Sequence, residues 1–312
     1  MGKDGAELAG GCGMSRRYRF AVVVFLPVVA ALGLTACEPP DNYVALGDSY
    51  TAGPLITPQD PSIPGCIRSD ANYPNLVAPD LGLPAFRDVS CSGAQTRDMF
   101  TSQDVDPDPN NPPQLDALDA RTKVVTLGIG GNDIGFSSIA QTCAELGIQN
   151  QFQGSPCKDH YTAGGTDELA AEIAAVAPAL RRVLDAIRQR SPDAEVFVVG
   201  YPAILPESTE LFAACQPVMP IAAGDVPYLR DSVEKRLNAT IQFTTVAAGH
   251  RFVDTYTPSI GHDACQPPVI RWVEPVVPAA DAAPVHPNRL GMIGMADAVE
   301  ASMRAAGVPV AD

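Results

Sequence analysis

Residues Tyr43–Gly53 read YVALGDSYTAG. A short apolar run leads into Gly47-Asp48-Ser49, and small residues follow. Apolar runs of this length, closed by glycine, are the pattern of a strand buried on both faces. The pattern recurs at Lys123–Ile129 and Glu195–Val199, both rich in β-branched residues, and His250–Val253 is a fourth candidate. Helical patterns lie between the runs. One is capped by Thr166, carries Asp167 and Glu168 in its first turn, and repeats apolar residues from Leu169 to Ile187 every three or four positions. Pro178 is expected to kink that helix or to mark its real start. A second helix is expected over Val226 to Ala247 and a last one over Asn288 to Met303. Strands alternating with helices define a doubly wound α/β layer structure, and such sheets bind ligands at the carboxyl ends of their strands. Ser49 and Asn132 each lie just past such an end. Ser49 is therefore either a turn residue or a nucleophile whose partners must lie further along the chain.

The chain has 312 residues, 46% hydrophobic and 18% charged. That is the profile of a globular protein with a sizeable core, not of a disordered chain or a membrane bundle. The formal net charge of −15 argues against a nucleic-acid partner, because no basic stripe could replace counterions. It suits an uncharged or cationic ligand.

Residues 1–36 read as an export signal: Arg16, Arg17 and Arg19 precede an apolar run from Phe20 to Leu34. Residues 1–13 look like an upstream start artefact, since Met14 would begin an ordinary signal peptide. Leu34-Thr35-Ala36-Cys37 resembles a bacterial lipobox, which makes Cys37 a candidate for lipid attachment and membrane anchoring; the alternative is a free secreted protein. Residues 37–42 would form a short tether, and residues 43–312 one domain without internal repeats. Thr101 to Gln114 is an Asp-, Asn- and Pro-rich surface loop, and the proline-rich stretches Pro202 to Val226 and Gly261 to Pro287 are mostly non-helical. Loops of this length are often functional.

Of eight cysteines, Cys12 and Cys37 belong to the leader and six remain. An even set in an exported chain implies disulfides. Six cysteines allow fifteen pairings, and order alone leaves them open. Sequential pairing, Cys66–Cys91, Cys143–Cys157 and Cys215–Cys265, gives short loops and is the expectation. No C-x-x-C pair points to a metal or redox site, and no cofactor is expected.

Acyl transfer needs a nucleophile, a base and donors for a developing oxyanion. No G-x-S-x-G occurs, so the usual α/β-hydrolase elbow is absent. His286, in APVHPNRLGM, lies between a proline-rich loop and the last helix, which positions a base while leaving it accessible. His262, in GHDAC, is the rival. His160 and His250 read as exposed polar residues. GIGGNDIG places Asn132 where its amide could donate, and CSGAQTRD places Gly93 in a turn where a backbone N–H could be exposed. Taken singly, Ser49 and Asn132 are more simply turn residues.

Taken together, Gly-Asp-Ser, the later Gly, Gly-x-Asn-Asp and the late His resemble the SGNH (GDSL-type) hydrolase family, in the family's order and over nearly the whole mature chain. PPQLDAL, GYPAILP, GHDAC and RWVEP narrow the resemblance to a secreted esterase and lipase branch from actinobacteria with three disulfides. The resemblance implies a single-domain, three-layer α/β/α fold of flavodoxin-like type with a mainly parallel sheet. It supports the sequential disulfide pairing. It implies that Ser49 is the nucleophile and His286 the base. The Ser49 N–H, the Gly93 N–H and the Asn132 side chain would form the oxyanion hole. Asp48, Asp133 and Asp254 are read as holding turns by local hydrogen bonds.

One position departs from the family. An aspartate three residues before the histidine usually orients the ring and stabilises the imidazolium; here it is Ala283. The main-chain carbonyl of Ala283 is expected to take that place, ahead of Asp281. The implied protein is an exported, monomeric carboxylic-ester hydrolase acting on small-molecule or lipid esters. The alternatives are an acyltransferase or deacetylase using the same site, and a surface-binding lipoprotein without catalysis.

Overall fold

A computed structural model describes residues 42–212 and 214–311. The export signal, Cys37 and most of the tether lie outside the described residues. Five strands form one parallel sheet: β1 (Asn42–Gly47), β2 (Ala85–Asp88), β3 (Thr122–Gly128), β4 (Glu195–Val199) and β5 (Arg251–Val253). Their order is β2-β1-β3-β4-β5. The chain leaves β1 in one direction to form β2, then returns past β1 to form β3. The crevice of such a sheet opens at that switch, between the carboxyl ends of β1 and β3.

The flanking helices are α1 (Ser49–Ala52), α2 (Tyr73–Leu81), α3 (Phe136–Gln149), α4 (Pro156–Tyr161), α5 (Glu168–Arg190), α6 (Thr209–Phe212), α7 (Lys235–Ala247), α8 (Tyr256–Ser259) and α9 (Arg289–Ala305). Side chains alternate across each strand, so the sheet has two apolar faces. Tyr43, Ala45, Phe197 and Val199 pack with α2 and α9 through Val77, Met292, Met295 and Val299. Val44, Leu46, Val196 and Val198 face α5 and α7 through Leu180, Val183, Leu237 and Ile241. The result is a three-layer α/β/α domain, as the alternation of elements implies.

Several boundaries differ from the sequence reading. Asp167, not Thr166, caps α5: its carboxylate accepts the Ala170 N–H at 3.1 Å. Asp167 is one residue nearer the first helical residue, which puts its oxygen within reach of that orphan donor. The helix runs on through Pro178, which is exposed, so the start is at Glu168 and not at the proline. The expected helix over Val226 to Ala247 is α7 preceded by a π-helical turn, Tyr228–Glu234. Strand β2 has no counterpart in the sequence reading. It is four residues long at the sheet edge, its residues are half-buried or exposed, and Pro84 precedes it. No continuous apolar run marks such a strand.

The three disulfides are Cys66–Cys91, Cys143–Cys157 and Cys215–Cys265. The second joins α3 to α4.

Candidate active site

The site is built where β1 ends. Gly47 has φ +156°, and a Cβ on it would stand 2.2 Å from Thr51 Oγ1 and 2.7 Å from the Gly128 carbonyl oxygen. Only glycine lets β1 approach β3 and α1 this closely. The buried Gln114 clamps the same residue: the Gly47 N–H donates to Gln114 Oε1 at 2.7 Å, and Gln114 Nε2 donates to the Gly47 carbonyl at 2.9 Å. The next residue, Asp48, caps α1 by accepting the Tyr50 N–H at 2.9 Å. Its other oxygen accepts the Tyr201 hydroxyl at 2.6 Å, and that hydroxyl accepts the Gly131 N–H at 2.7 Å. Asp48 therefore joins the end of β1 to the loop after β3 and to the segment after β4, well beyond the local role read from the sequence. Burial pushes its carboxyl up from 3.8 to about 7, although both hydrogen bonds favour the charged form.

Ser49 opens α1 with its hydroxyl 2.8 Å from His286 Nε2. The opposite ring nitrogen, Nδ1, lies 2.8 Å from the Pro284 carbonyl oxygen. A carbonyl can only accept, so Nδ1 carries the proton and Nε2 accepts from the Ser49 hydroxyl. This corrects the expectation of an Ala283 carbonyl. The Ala283 oxygen accepts the His286 backbone N–H at 3.2 Å, closing a turn with Val285 at φ +60°. That turn leaves the Pro284 carbonyl under the ring. Asp281 is exposed and makes no hydrogen bond to the imidazole. Burial lowers the His286 pKa below its ordinary value, and the Pro284 carbonyl opposes that shift.

The histidine loop is braced twice. The Tyr50 hydroxyl donates to the Val285 carbonyl at 2.6 Å, and the Tyr50 and His286 rings lie 5.1 Å apart. On the other side, buried Glu274 takes Arg271 Nη2 at 2.6 Å, Asn288 Nδ2 at 2.9 Å and the Ala280 N–H at 3.1 Å. These partners hold the Glu274 carboxyl below the usual range despite its burial. Asn288 also caps α9 through the Gly291 N–H. The Glu274 N–H donates to the His286 carbonyl at 2.9 Å, so the cap and the ion pair fix the backbone of the histidine.

Asn132 and Gly93 stand on laced loops. Asn132 Nδ2 donates to the Ala94 carbonyl at 2.9 Å, and Gln95 Nε2 donates to the Asn132 carbonyl at 2.8 Å. Asp133 accepts from the Thr96 N–H and hydroxyl, a link between distant segments where a local turn was expected. The second hydrogen of the Asn132 amide has no acceptor among the described residues. Nor do the N–H groups of Ser49 and Gly93. Gly93 adopts φ +81°, and the Cys66–Cys91 bridge anchors its turn. Asp254 keeps a local role, accepting from the Tyr256 and Thr257 N–H groups.

The other histidines lie apart from Ser49. His262 Nδ1 is held 2.6 Å from the Ile270 carbonyl oxygen, with the ring stacked on Trp272. His160 packs against Tyr161, and His250 sits near Arg188. Tyr50, Gln114, Tyr201 and Glu274 received no individual role from the sequence. The last three lie in PPQLDAL, GYPAILP and RWVEP, blocks that stand out in the sequence although their contacts do not. Among the described residues, no group of His, Cys, Asp or Glu is arranged to hold a metal ion.

From Ser49, Asn132 and His286 a pocket runs inward. Ile139, Ile204, Leu205, Met219, Ile221 and Leu237 line it. The arrangement offers a hydroxyl hydrogen-bonded to an imidazole, the Asn132 amide lining the same pocket, and an apolar slot.

The model of the GDSL-like lipase/acylhydrolase family matches residues 45–292, and the chain belongs to that family. It is a hydrolase of the lipase and esterase type. It is 40% identical over 292 residues to Lipase 2 of Streptomyces coelicolor, an alignment covering 90% of this chain and 95% of that protein. It is 30% identical to an esterase of Streptomyces scabiei, over 77% of each chain. Among solved structures, phospholipase A1 from Streptomyces albidoflavus NA297 superposes with a TM-score of 0.68 at 25% identity, covering 85% of this chain and all of that one (100%). An extracellular lipase from Streptomyces rimosus gives a TM-score of 0.65 at 27% identity, over 84% and 99%.

Proposed function

We propose that this hydrolase acts outside the cytoplasm and cleaves carboxylic esters through an acyl-enzyme on Ser49. The observation that carries the reading is the 2.8 Å approach of Ser49 Oγ to His286 Nε2, with Nδ1 turned to the Pro284 carbonyl. His286 takes the Ser49 proton as Oγ attacks the ester carbonyl. The developing oxyanion is received by the Ser49 and Gly93 N–H groups and the Asn132 amide. His286 then protonates the leaving alcohol. In the second half-reaction it activates water, which releases the acid. Catalysis thus rests on a Ser–His dyad, with a neutral carbonyl orienting the ring.

Lipid or acyl-glycerol esters fit best as substrates. The slot beside Ser49 is lined by aliphatic side chains, and relatives carry the names lipase and phospholipase A1. Three disulfides and the leader support export. Cys37 is the point of lipid attachment if the lipobox is used; the mass of the mature N-terminus separates an anchored from a free, monomeric protein. The test of the activity is a chain-length series of p-nitrophenyl esters with Ser49→Ala as control. Hydrolysis by the wild type and none above background by the variant is expected. Equal rates for the two would overturn the reading.

A further inference from the structure

The apolar slot contains one carboxyl group away from the dyad. Glu234 lines it, although the residue is only 8% exposed. Its position follows from the π-helical turn Tyr228–Glu234. In a π turn residue i pairs with i+5, so Leu229, Val233 and Glu234 face the slot together. Glu234 Oε1 accepts the Ile204 N–H at 2.9 Å, and Oε2 has no hydrogen-bond partner among the described residues. The neighbouring Lys235 ammonium makes its ion pairs with Glu207 and Asp231 and not with Glu234, so its charge offsets the burial only in part. Burial pushes the Glu234 carboxyl well above the ordinary glutamate range.

A polar oxygen in an apolar slot is costly to strip of solvent unless something replaces its hydrogen bond. An unsubstituted acyl chain laid against Oε2 replaces nothing. A hydroxyl on the chain does, whether the carboxyl is charged and accepts or is neutral and also donates. We infer that Glu234 is a specificity-determining residue that selects acyl groups bearing a hydroxyl at one position along the chain. The inference rests on the ester-hydrolase reading of the same site and leaves its chemistry unchanged.

The experiment measures kcat/KM for p-nitrophenyl esters of one chain length, unsubstituted and with a single hydroxyl walked along the chain. Wild type should peak at one hydroxyl position, by about tenfold over its neighbours, because a fixed hydrogen-bond partner rewards one placement. Glu234→Gln keeps an oxygen for the Ile204 N–H and an amide for the hydroxyl, and should keep the peak. Glu234→Leu should erase it and favour the unsubstituted ester. A flat profile from an active wild type overturns this inference alone and needs no variant, so it decides even where Glu234→Leu does not fold. A peak that survives in folded Glu234→Leu also overturns it. Failure of the wild type on every ester would overturn the hydrolase reading and this inference with it.

Discussion

Nδ1 of His286 lies 2.8 Å from the carbonyl oxygen of Pro284, two residues earlier in the same turn. The ring is therefore oriented by its own loop and not by a carboxylate from elsewhere. A carbonyl fixes the tautomer as an aspartate would, but brings no full charge to stabilise an imidazolium. The energetic burden of holding the ring shifts to the turn itself, and to Tyr50 and Glu274, which brace it.

Asp281 should then be dispensable. Asp281→Ala should leave kcat/KM within about threefold of wild type in ester hydrolysis. A fall of about 10⁴, the scale for a triad aspartate, would return Asp281 to the third position.

The pH profile follows from His286, whose pKa burial holds below the ordinary value of 6.5. The base must be neutral to take the Ser49 proton, so activity is present above its folded pKa and lost as pH falls through it. The rising limb of kcat/KM should be centred below 6.5. A midpoint near or above about 7, the mark of a charge-stabilised imidazolium, would contradict this assignment.

Asn132 lines the same pocket as Ser49 and has one amide hydrogen without an acceptor among the described residues, the other being committed to the Ala94 carbonyl. Asn132→Ala should lower kcat by about 10²–10³ with little change in KM, the cost of one oxyanion donor. A change below about threefold would remove the amide from the hole.

Asp48 links pH to stability. Its carboxyl is raised from 3.8 to about 7 in the folded protein. As pH climbs between these values, the unfolded chain releases a proton that the native state still holds, so this group's contribution to stability declines. Relative to Asp48→Asn, wild type should lose stability across that window, by up to about 4 kcal/mol for ~3 pKa units. Urea denaturation of both proteins at the two ends of the range measures it. A difference that does not change with pH would show that Asp48 ionises normally.

The sheet's central strands were legible because they are buried on both faces. Tyr43–Leu46 and Val196–Val199 have no polar interruption. Strand β2 was not, because an edge strand such as AFRD has one exposed margin and no continuous run. Ser49 and His286 stood out in the sequence only through the resemblance of the ordered blocks, since Ser49 alone reads as a turn residue and His262 is a rival base; the structure brings Ser49 and His286 together at 2.8 Å. Which carbonyl meets the imidazole was not legible. It depends on Val285 adopting φ +60°, and a valine gives no hint of that. The same limit hid Tyr50 and Glu234. A tyrosine after the serine reads as core, and only the π-helical turn aims the glutamate inward.

In the proposed mechanism Ser49 Oγ, activated by His286, is the atom that becomes acylated. Incubation with a p-nitrophenyl phosphonate followed by peptide mass spectrometry tests it most directly. One phosphonyl adduct on the peptide containing Ser49 is expected, with loss of activity, and none in His286→Ala or Ser49→Ala. An adduct on another residue, or full inactivation with Ser49 unmodified, would contradict it.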